Sequence, residues 1–180
     1  MLPQGYSDNP SRDCPVVASI DECNFSERVM PLYGYSKRGT RCVLRNVKGG
    51  WVKQSLLLAM CSDGHMHHRV IKGSVDRDLF KEFILDLPLP HDSVVLMDNA
   101  TIHHKTQDVF EAKMLHAAYL PPYSPQFNPV ENAFSKIKTH FRSQWPWHGG
   151  VADAVASSVD SVCVQDVVGY FRNWMHLIGA

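Results

Sequence analysis

The run Ser93-Val94-Val95-Leu96-Met97 is almost wholly apolar and stops at Asp98-Asn99. It is too short to be a helix of its own, and it has no polar side to offer to water. A run of this kind reads as a strand buried on both faces. Helices must then cover it from both sides, which places the chain in the α/β class.

The flanking periodicity supplies those helices. Leu79, Phe80, Phe83, Ile84 and Leu87 recur at helical spacing over 76–87, and Pro88 and Pro90 end the helix. A second helix is expected over 105–115 and a short strand over 116–120. Pro121, Pro122, Pro125 and Pro129 then stiffen a loop, leaving its backbone few conformations to lose on folding. A helix follows from Pro129 to about Arg142, with Val130, Phe134, Ile137 and Phe141 on its apolar face. Beyond Trp145-Pro146-Trp147-His148-Gly149-Gly150 the chain is expected to be helical again, with Val167, Phe171, Trp174 and Ile178 forming one stripe.

Upstream, Val16-Val17-Ala18-Ser19-Ile20 reads as a strand closed by Asp21. Segments near 29–35, 41–47, 51–61 and 65–72 have the rhythm of a strand meander, with turns at Lys48-Gly49-Gly50 and Ser62-Asp63-Gly64. Strands first and alternating helix and strand afterwards predict a mixed sheet flanked by helices. The expected organisation is a disordered or linking tail over 1–15, one domain over 16–145, and a helical extension over 146–180 packed on that domain.

With 180 residues, a second full domain would be a squeeze. No apolar run approaches the roughly 20 residues needed to cross a bilayer. The start, MLPQGYSDNPSRDCP, has no basic stretch followed by an apolar one, so no secretory signal is expected. The five cysteines are odd in number and scattered without C-x-x-C spacing, which suits a reducing compartment rather than a disulfide framework or zinc finger. Net charge is zero, but residues 24–53 set Arg28, Lys37, Arg38, Arg41, Arg45, Lys48 and Lys53 against Glu27 alone. Such a stripe can hold a phosphate backbone; a solvated sheet edge explains it equally well.

Three acids fall where an α/β sheet gathers functional groups, beyond the carboxyl ends of strands. Asp21 and Asp98 follow apolar strands, and Glu131 sits in the first turn of the helix after the proline loop. Carboxylates suit Mg²⁺ or Mn²⁺, and two such ions can activate an attacking oxygen and stabilise a leaving one in phosphodiester chemistry. Each acid also has an ordinary explanation. Asp21 and Asp98-Asn99 could simply begin turns. Asn128-Pro129-Val130-Glu131 matches a capping box, in which the glutamate would bond its own helix's first amide rather than a metal. His65, His67 and His68 lack partners at zinc-ligand spacing and read as a surface edge. Tyr123 and Trp145 could stack on bases, but packing is the expected role of both.

The local sequences around the acids add to this reading. Val94-Val95-Leu96-Met97-Asp98-Asn99-Ala100-Thr101-Ile102-His103 resembles the second-aspartate motif of mariner-like and bacterial insertion-sequence transposases. Leu120-Pro121-Pro122-Tyr123-Ser124-Pro125-Gln126-Phe127-Asn128-Pro129-Val130-Glu131 resembles their third-acid motif, L-P-P-Y-S-P-x-x-N-P-x-E. Ile20-Asp21-Glu22, with Gly34-Tyr35-Ser36-Lys37-Arg38-Gly39 downstream, resembles their first-aspartate strand and its basic hairpin. The resemblance covers roughly residues 16–142.

It implies a ribonuclease-H-like fold and a DNA transposase catalytic domain, a metal-dependent endonuclease and strand transferase acting at transposon ends. Asp21 would bridge two Mg²⁺ or Mn²⁺ ions, with Asp98 completing one site and Glu131 the other. DNA, both transposon ends and target, is the implied partner. Lys37, Arg38, Arg41, Lys138 and Arg142 are the candidate phosphate contacts, and His103 would touch the scissile strand or orient Asp98. Joining paired ends implies a homodimer, although no interface signal stands in the sequence. The implied compartment is the cytoplasm or nucleoid of a bacterium, or the nucleus of a eukaryote. Full-length members carry N-terminal helix-turn-helix modules. Only about twenty residues precede Asp21 here, without helical pattern, so those modules are expected to be absent from this chain. Two rivals remain open: a catalytically silent DNA-binding relic, and another ribonuclease-H-like nuclease acting on RNA–DNA hybrids or branched DNA.

Overall fold

The computed structural model describes residues 14–26, 34–43, 53–147 and 149–179. Five strands form one sheet in the order β3-β2-β1-β4-β5. Strands β1 (Val17–Ser26), β2 (Lys53–Cys61) and β3 (Met66–Lys72) are an antiparallel meander. Strands β4 (Val94–Met97) and β5 (His116–Tyr119) run parallel to β1. Helix α1 (Arg77–Asp86) leads into β4, and α2 (Gln107–Ala112) connects β4 to β5. Helices α3 (Val130–Ser143), α4 (Val151–Val159) and α5 (Val164–Ile178) follow. This is the mixed, helix-flanked α/β sheet expected from the apolar patterning.

The alternation of side chains along β1 divides the core in two. Cys23 and Phe25 point to one face, where they pack with Leu56, Leu58 and Met60 of β2 against Phe134, Ile137 and Phe141 of α3. Val155, Val159, Val167 and Phe171 of α4 and α5 belong to the same cluster, so the two last helices share one core with the sheet. Ala18 and Ile20 point the other way, with Val95 and Met97 of β4, and meet Phe80, Phe83 and Ile84 of α1 and Phe110 of α2. Each fully buried side chain of this size contributes roughly 1.5–3 kcal/mol through burial alone. Val95 and Met97 on one face and Leu96 on the other are all buried, as the apolar run requires.

Three expectations change, and one gains detail. Asp21 does not close its strand. Strand β1 continues to Ser26 because the antiparallel ladder with β2 runs unbroken from Ala18↔Cys61 to Ser26↔Lys53. Helix α2 is shorter than 105–115: residues 101–105 wind through turns, and the Thr106 hydroxyl donates back to the His103 carbonyl at 2.6 Å. In α5, Val167 and Phe171 are buried, but Trp174 is only half-buried and Ile178 is 47% exposed, so the stripe leaves the core before the helix ends. Residues 34–35 and 41–43, expected at the ends of two strands, are not strand; between them Lys37–Thr40 makes a tight turn with Gly39 at φ 83°. The turn at 62–64 forms as expected, with Gly64 at φ 95° and its N–H donating to Cys61 O at 2.9 Å. The expected turn at 48–50, the rest of the strands near 29–35 and 41–47, and most of the N-terminal tail lie outside the described residues.

Candidate active site

The register of the sheet places the first two acids. Parallel pairing of β1 with β4 covers only Val17↔Val94, Ala18↔Val95 and Ser19↔Leu96. Two residues further on, the same count brings Asp21 level with Asp98. There β1 stays bonded to β2 while β4 ends, and a cleft of about 640 Å³ opens between them. Asp21, Asp98, Glu131 and Asn128 line it, and the proline loop from Leu120 to Pro125 forms another wall. Glu131 enters from the first turn of α3, whose buried Val130 and Ala133 seat that turn in the core.

Asp21 is the most enclosed of the three, 9% exposed. Its Oδ1 accepts the Glu22 N–H at 2.7 Å, and its Oδ2 accepts the Asn128 side-chain N–H at 2.9 Å. Burial pushes its pKa up to about 7; the Glu22 amide opposes this, and the neighbouring Asp98 and Glu131 carboxylates add to the rise. Asp98 is held below its usual range, first by its hydrogen bond from His103 and also by the Ala100 N–H, with burial opposing.

The capping box that competed for Glu131 does not form. The Asn128 side chain turns instead into the protein interior, where its amide donates to Asp21 and its carbonyl accepts the Ser19 hydroxyl. Helix α3 has no side-chain cap, and its first turn is held by the Glu131 N–H donating to the Asn128 carbonyl at 3.2 Å. Glu131 is exposed to the cleft. Asn128 is thus a positioning residue for Asp21 that the motif contained but that its cap-like spacing disguised. Replacing Asn128 by Ala leaves the buried Ser19 hydroxyl and an Asp21 oxygen without partners, which is expected to cost about 1–3 kcal/mol. Urea denaturation measures this; an unchanged midpoint would show that the Ser19–Asn128–Asp21 chain contributes nothing.

His103 lies behind Asp98, not on the cleft wall. It is 1% exposed, its Nδ1 is 2.7 Å from Asp98 Oδ1, and its ring stacks on Phe80 at 4.4 Å between centroids. Of the two roles open to it, orienting Asp98 fits this placement and direct DNA contact does not. Lys37, Arg38 and Arg41 are all exposed on or beside the Lys37–Thr40 turn. Lys138 and Arg142 are half-buried on α3, with the Lys138 ammonium beside the Cys23 thiol. None of these five lines the cleft. Tyr123 departs from its expected packing role: it is fully exposed, at φ 55°, on the cleft's proline wall. Trp145 is half-buried. His65 stands in the turn before β3 and His67 and His68 lie on that edge strand.

Among the described residues, no three His, Cys, Asp or Glu side chains stand close enough to enclose a single ion. The donor set nevertheless fits hard divalent cations. It is all oxygen, its two neighbouring carboxylates add to the rise that burial imposes on Asp21, and it faces an open cleft. A pair of ions needs only two carboxylates each, because water and phosphate oxygens complete the shells of such sites.

Taken together, the sheet order, the antiparallel meander, the parallel strands beyond it and the acid-lined cleft define a ribonuclease-H-like core. Solved structures with this fold include the Mos1 mariner paired end complex with Mn, at TM-score 0.70 and 13% identity over 89% of this chain and 53% of that one. The catalytic domain of Mos1 mariner transposase matches at TM-score 0.60 and 16% identity, over 89% of this chain and 76% of that one. The catalytic core domain of BIV integrase matches at TM-score 0.54 and 14% identity, over 89% of this chain and 97% of that one. The family described as DDE superfamily endonuclease matches residues 16–148, and the chain belongs to it. It spans about half the length of the transposase in the paired end complex. No curated protein matches it.

Proposed function

We propose that this chain is the catalytic core of a cut-and-paste DNA transposase, nicking phosphodiesters at transposon ends and joining the freed 3′-hydroxyl to target DNA. The observation that carries this reading is the meeting of Asp21, Asp98 and Glu131 in one cleft, from two parallel strands and a helix distant in sequence. The family membership and the Mn- and Mg-containing mariner complexes of the same fold support it.

Asp21 would be shared by two Mg²⁺ or Mn²⁺ ions, with Asp98 completing one site and Glu131 the other. When bound, the ions lower the pKa of the attacking water or hydroxyl and stabilise the leaving oxygen. The chain's residues prepare that site. Asn128 fixes one oxygen of Asp21, and His103 with the Ala100 N–H fixes one oxygen of Asp98, so both carboxylates keep an orientation before substrate arrives. Preorganised ligands need no rearrangement at the moment of reaction. Lys37, Arg38, Arg41, Lys138 and Arg142 would hold DNA phosphates outside the cleft, and exposed Tyr123 offers a ring on which a base can stack. Joining two ends at one target calls for two such cores, so a dimer on DNA is part of the proposal.

Incubating the chain with Mn²⁺ and linear duplex, branched DNA or an RNA–DNA hybrid tests the reading. Nicking of the duplex is expected. Cleavage of the hybrid or branched substrate alone would assign a different nuclease. No cleavage, with no carboxylate-dependent Mn²⁺ binding by calorimetry, would assign a silent relic.

A further inference from the structure

The side of β1 opposite Asp21 carries a second acidic group that the reaction scheme leaves unused. Glu22 follows Asp21 on the strand, so its side chain points to the α1 and α2 face while Asp21 points to the α3 face. His103 occupies that same α1 and α2 layer, stacked on Phe80 of α1. Register agrees with this: Asp21 is level with Asp98, so Glu22 is one step past it, beside the turns that carry His103.

Two atoms in this layer are buried without a hydrogen-bond partner among the described residues. One is Glu22 Oε2 and the other is His103 Nε2. A buried polar atom left unpaired is destabilising, so two such atoms in one small region call for an explanation. Their chemistry is complementary: one is a carboxylate oxygen, and the other is the ring nitrogen that Asp98 leaves free. The His103 charge also acts on Glu22, with Lys53 as the other nearby cation and Asp98 as the nearby anion.

We infer that Glu22 is a positioning residue for the active site, holding His103 Nε2 directly or through one water so that Nδ1 keeps donating to Asp98. The arrangement is a carboxylate–histidine–carboxylate chain: Glu22 sets the ring, the ring sets Asp98, and Asp98 presents its remaining oxygen to the cleft. Outer partners of this kind fix a ligand's orientation, and their loss typically costs about 10–100-fold in metal affinity or activity. The inference rests on the proposed reaction only for the use to which Asp98 is put; the chain of contacts itself is a property of the folded protein.

The test compares Glu22→Ala and Glu22→Gln with the unaltered chain. ¹⁵N resonances of His103 in the metal-free protein report the state of each ring nitrogen. Glu22→Ala is expected to shift the Nε2 resonance, and Glu22→Gln, which keeps a polar partner, to restore most of it. Mn²⁺ titration by calorimetry is expected to show about tenfold or greater weakening for Glu22→Ala and a smaller change for Glu22→Gln. His103 resonances and Mn²⁺ affinity unchanged in both variants would overturn the inference. So would a Glu22→Ala protein in which Mn²⁺ binding weakens while the His103 resonances stay put. If Glu22→Ala fails to fold, Glu22→Met, which keeps the length but not the polar end, takes its place in the same comparison: a displaced Nε2 resonance together with weakened Mn²⁺ binding upholds the chain, and either one unchanged rejects it. The ring resonances do not depend on catalysis, so an unaltered chain that nicks no DNA would sink the transposase reading without touching this one.

Discussion

Replacing Asp98 by Asn is expected to lower Mn²⁺-dependent nicking by ~10³-fold or more, since metal ions supply several kcal/mol of transition-state stabilisation and each 1.4 kcal/mol is a factor of ten. The amide is nearly the same shape, and its oxygen can still accept from Ala100 and His103, so the fold is expected to survive. What it loses is the negative charge that would hold a cation. The control is Asp92→Asn. Asp92 is exposed at the opposite end of β4, with His116 as its ion-pair partner at 3.6 Å, and its replacement should leave nicking unchanged. Rates on supercoiled plasmid and thermal melts of both variants make the comparison. Undiminished nicking by Asp98→Asn would remove Asp98 from the mechanism.

The second large effect is thermodynamic. Burial raises the Asp21 carboxyl from its ordinary 3.8 to about 7 in the folded chain. Between those values the folded chain holds a proton that the unfolded chain has released. Stability of the metal-free protein therefore falls as pH rises, by about 1.4 kcal/mol per unit at most, and levels off above about pH 7. The full span is on the order of 4 kcal/mol. Asp98 acts in the opposite sense: His103 holds its pKa down, so its contribution disappears in acid, below about pH 4. Stability without metal is thus expected to be greatest near pH 4–5. Mn²⁺ should reverse the trend, stabilising more at pH 8 than at pH 5, because it binds the ionised carboxylates. Urea denaturation across this range, with and without Mn²⁺, reads both limbs. A metal-free profile that is flat from pH 4 to 7, or identical in Asp21→Asn, would contradict the assignment of the effect to Asp21.

The parts of this molecule that the sequence announces are those governed by periodicity. The doubly buried β4, the apolar face of α3 and the proline-stiffened loop before it all followed from side-chain spacing, and Asp98 and Glu131 lie at the strand end and helix start where spacing put them, while Asp21 lies within β1. The misreadings have physical causes. Asp21 masked the continuation of β1, although the alternation of buried Cys23 and Phe25 with Glu22 and Asn24 was visible in the sequence. Asn128 carried two compatible explanations, helix cap and carboxylate partner, and only tertiary packing chooses between them. His103 had two roles open to it in the sequence, touching DNA or orienting Asp98, because its burial depends on Phe80, which comes from a different element. Tyr123 looked like a packing residue because large aromatic side chains usually are, and a positive φ in a proline loop turned it outward.

The two strand-borne acids and the helix-borne one belong to different mechanical parts. Asp21 lies on β1 and Asp98 directly follows β4, so both are anchored to the sheet. Glu131 rides on α3, whose position against that sheet is set by Phe134, Ile137 and Phe141 and by α4 and α5 behind them. The separation of Glu131 from the two aspartates is therefore a dimension of the helix–sheet layer, adjustable from the far side of the molecule. Under the proposed two-ion reading, trimming a methylene deep in that layer would change the spacing of the ions while leaving all three carboxylates in place.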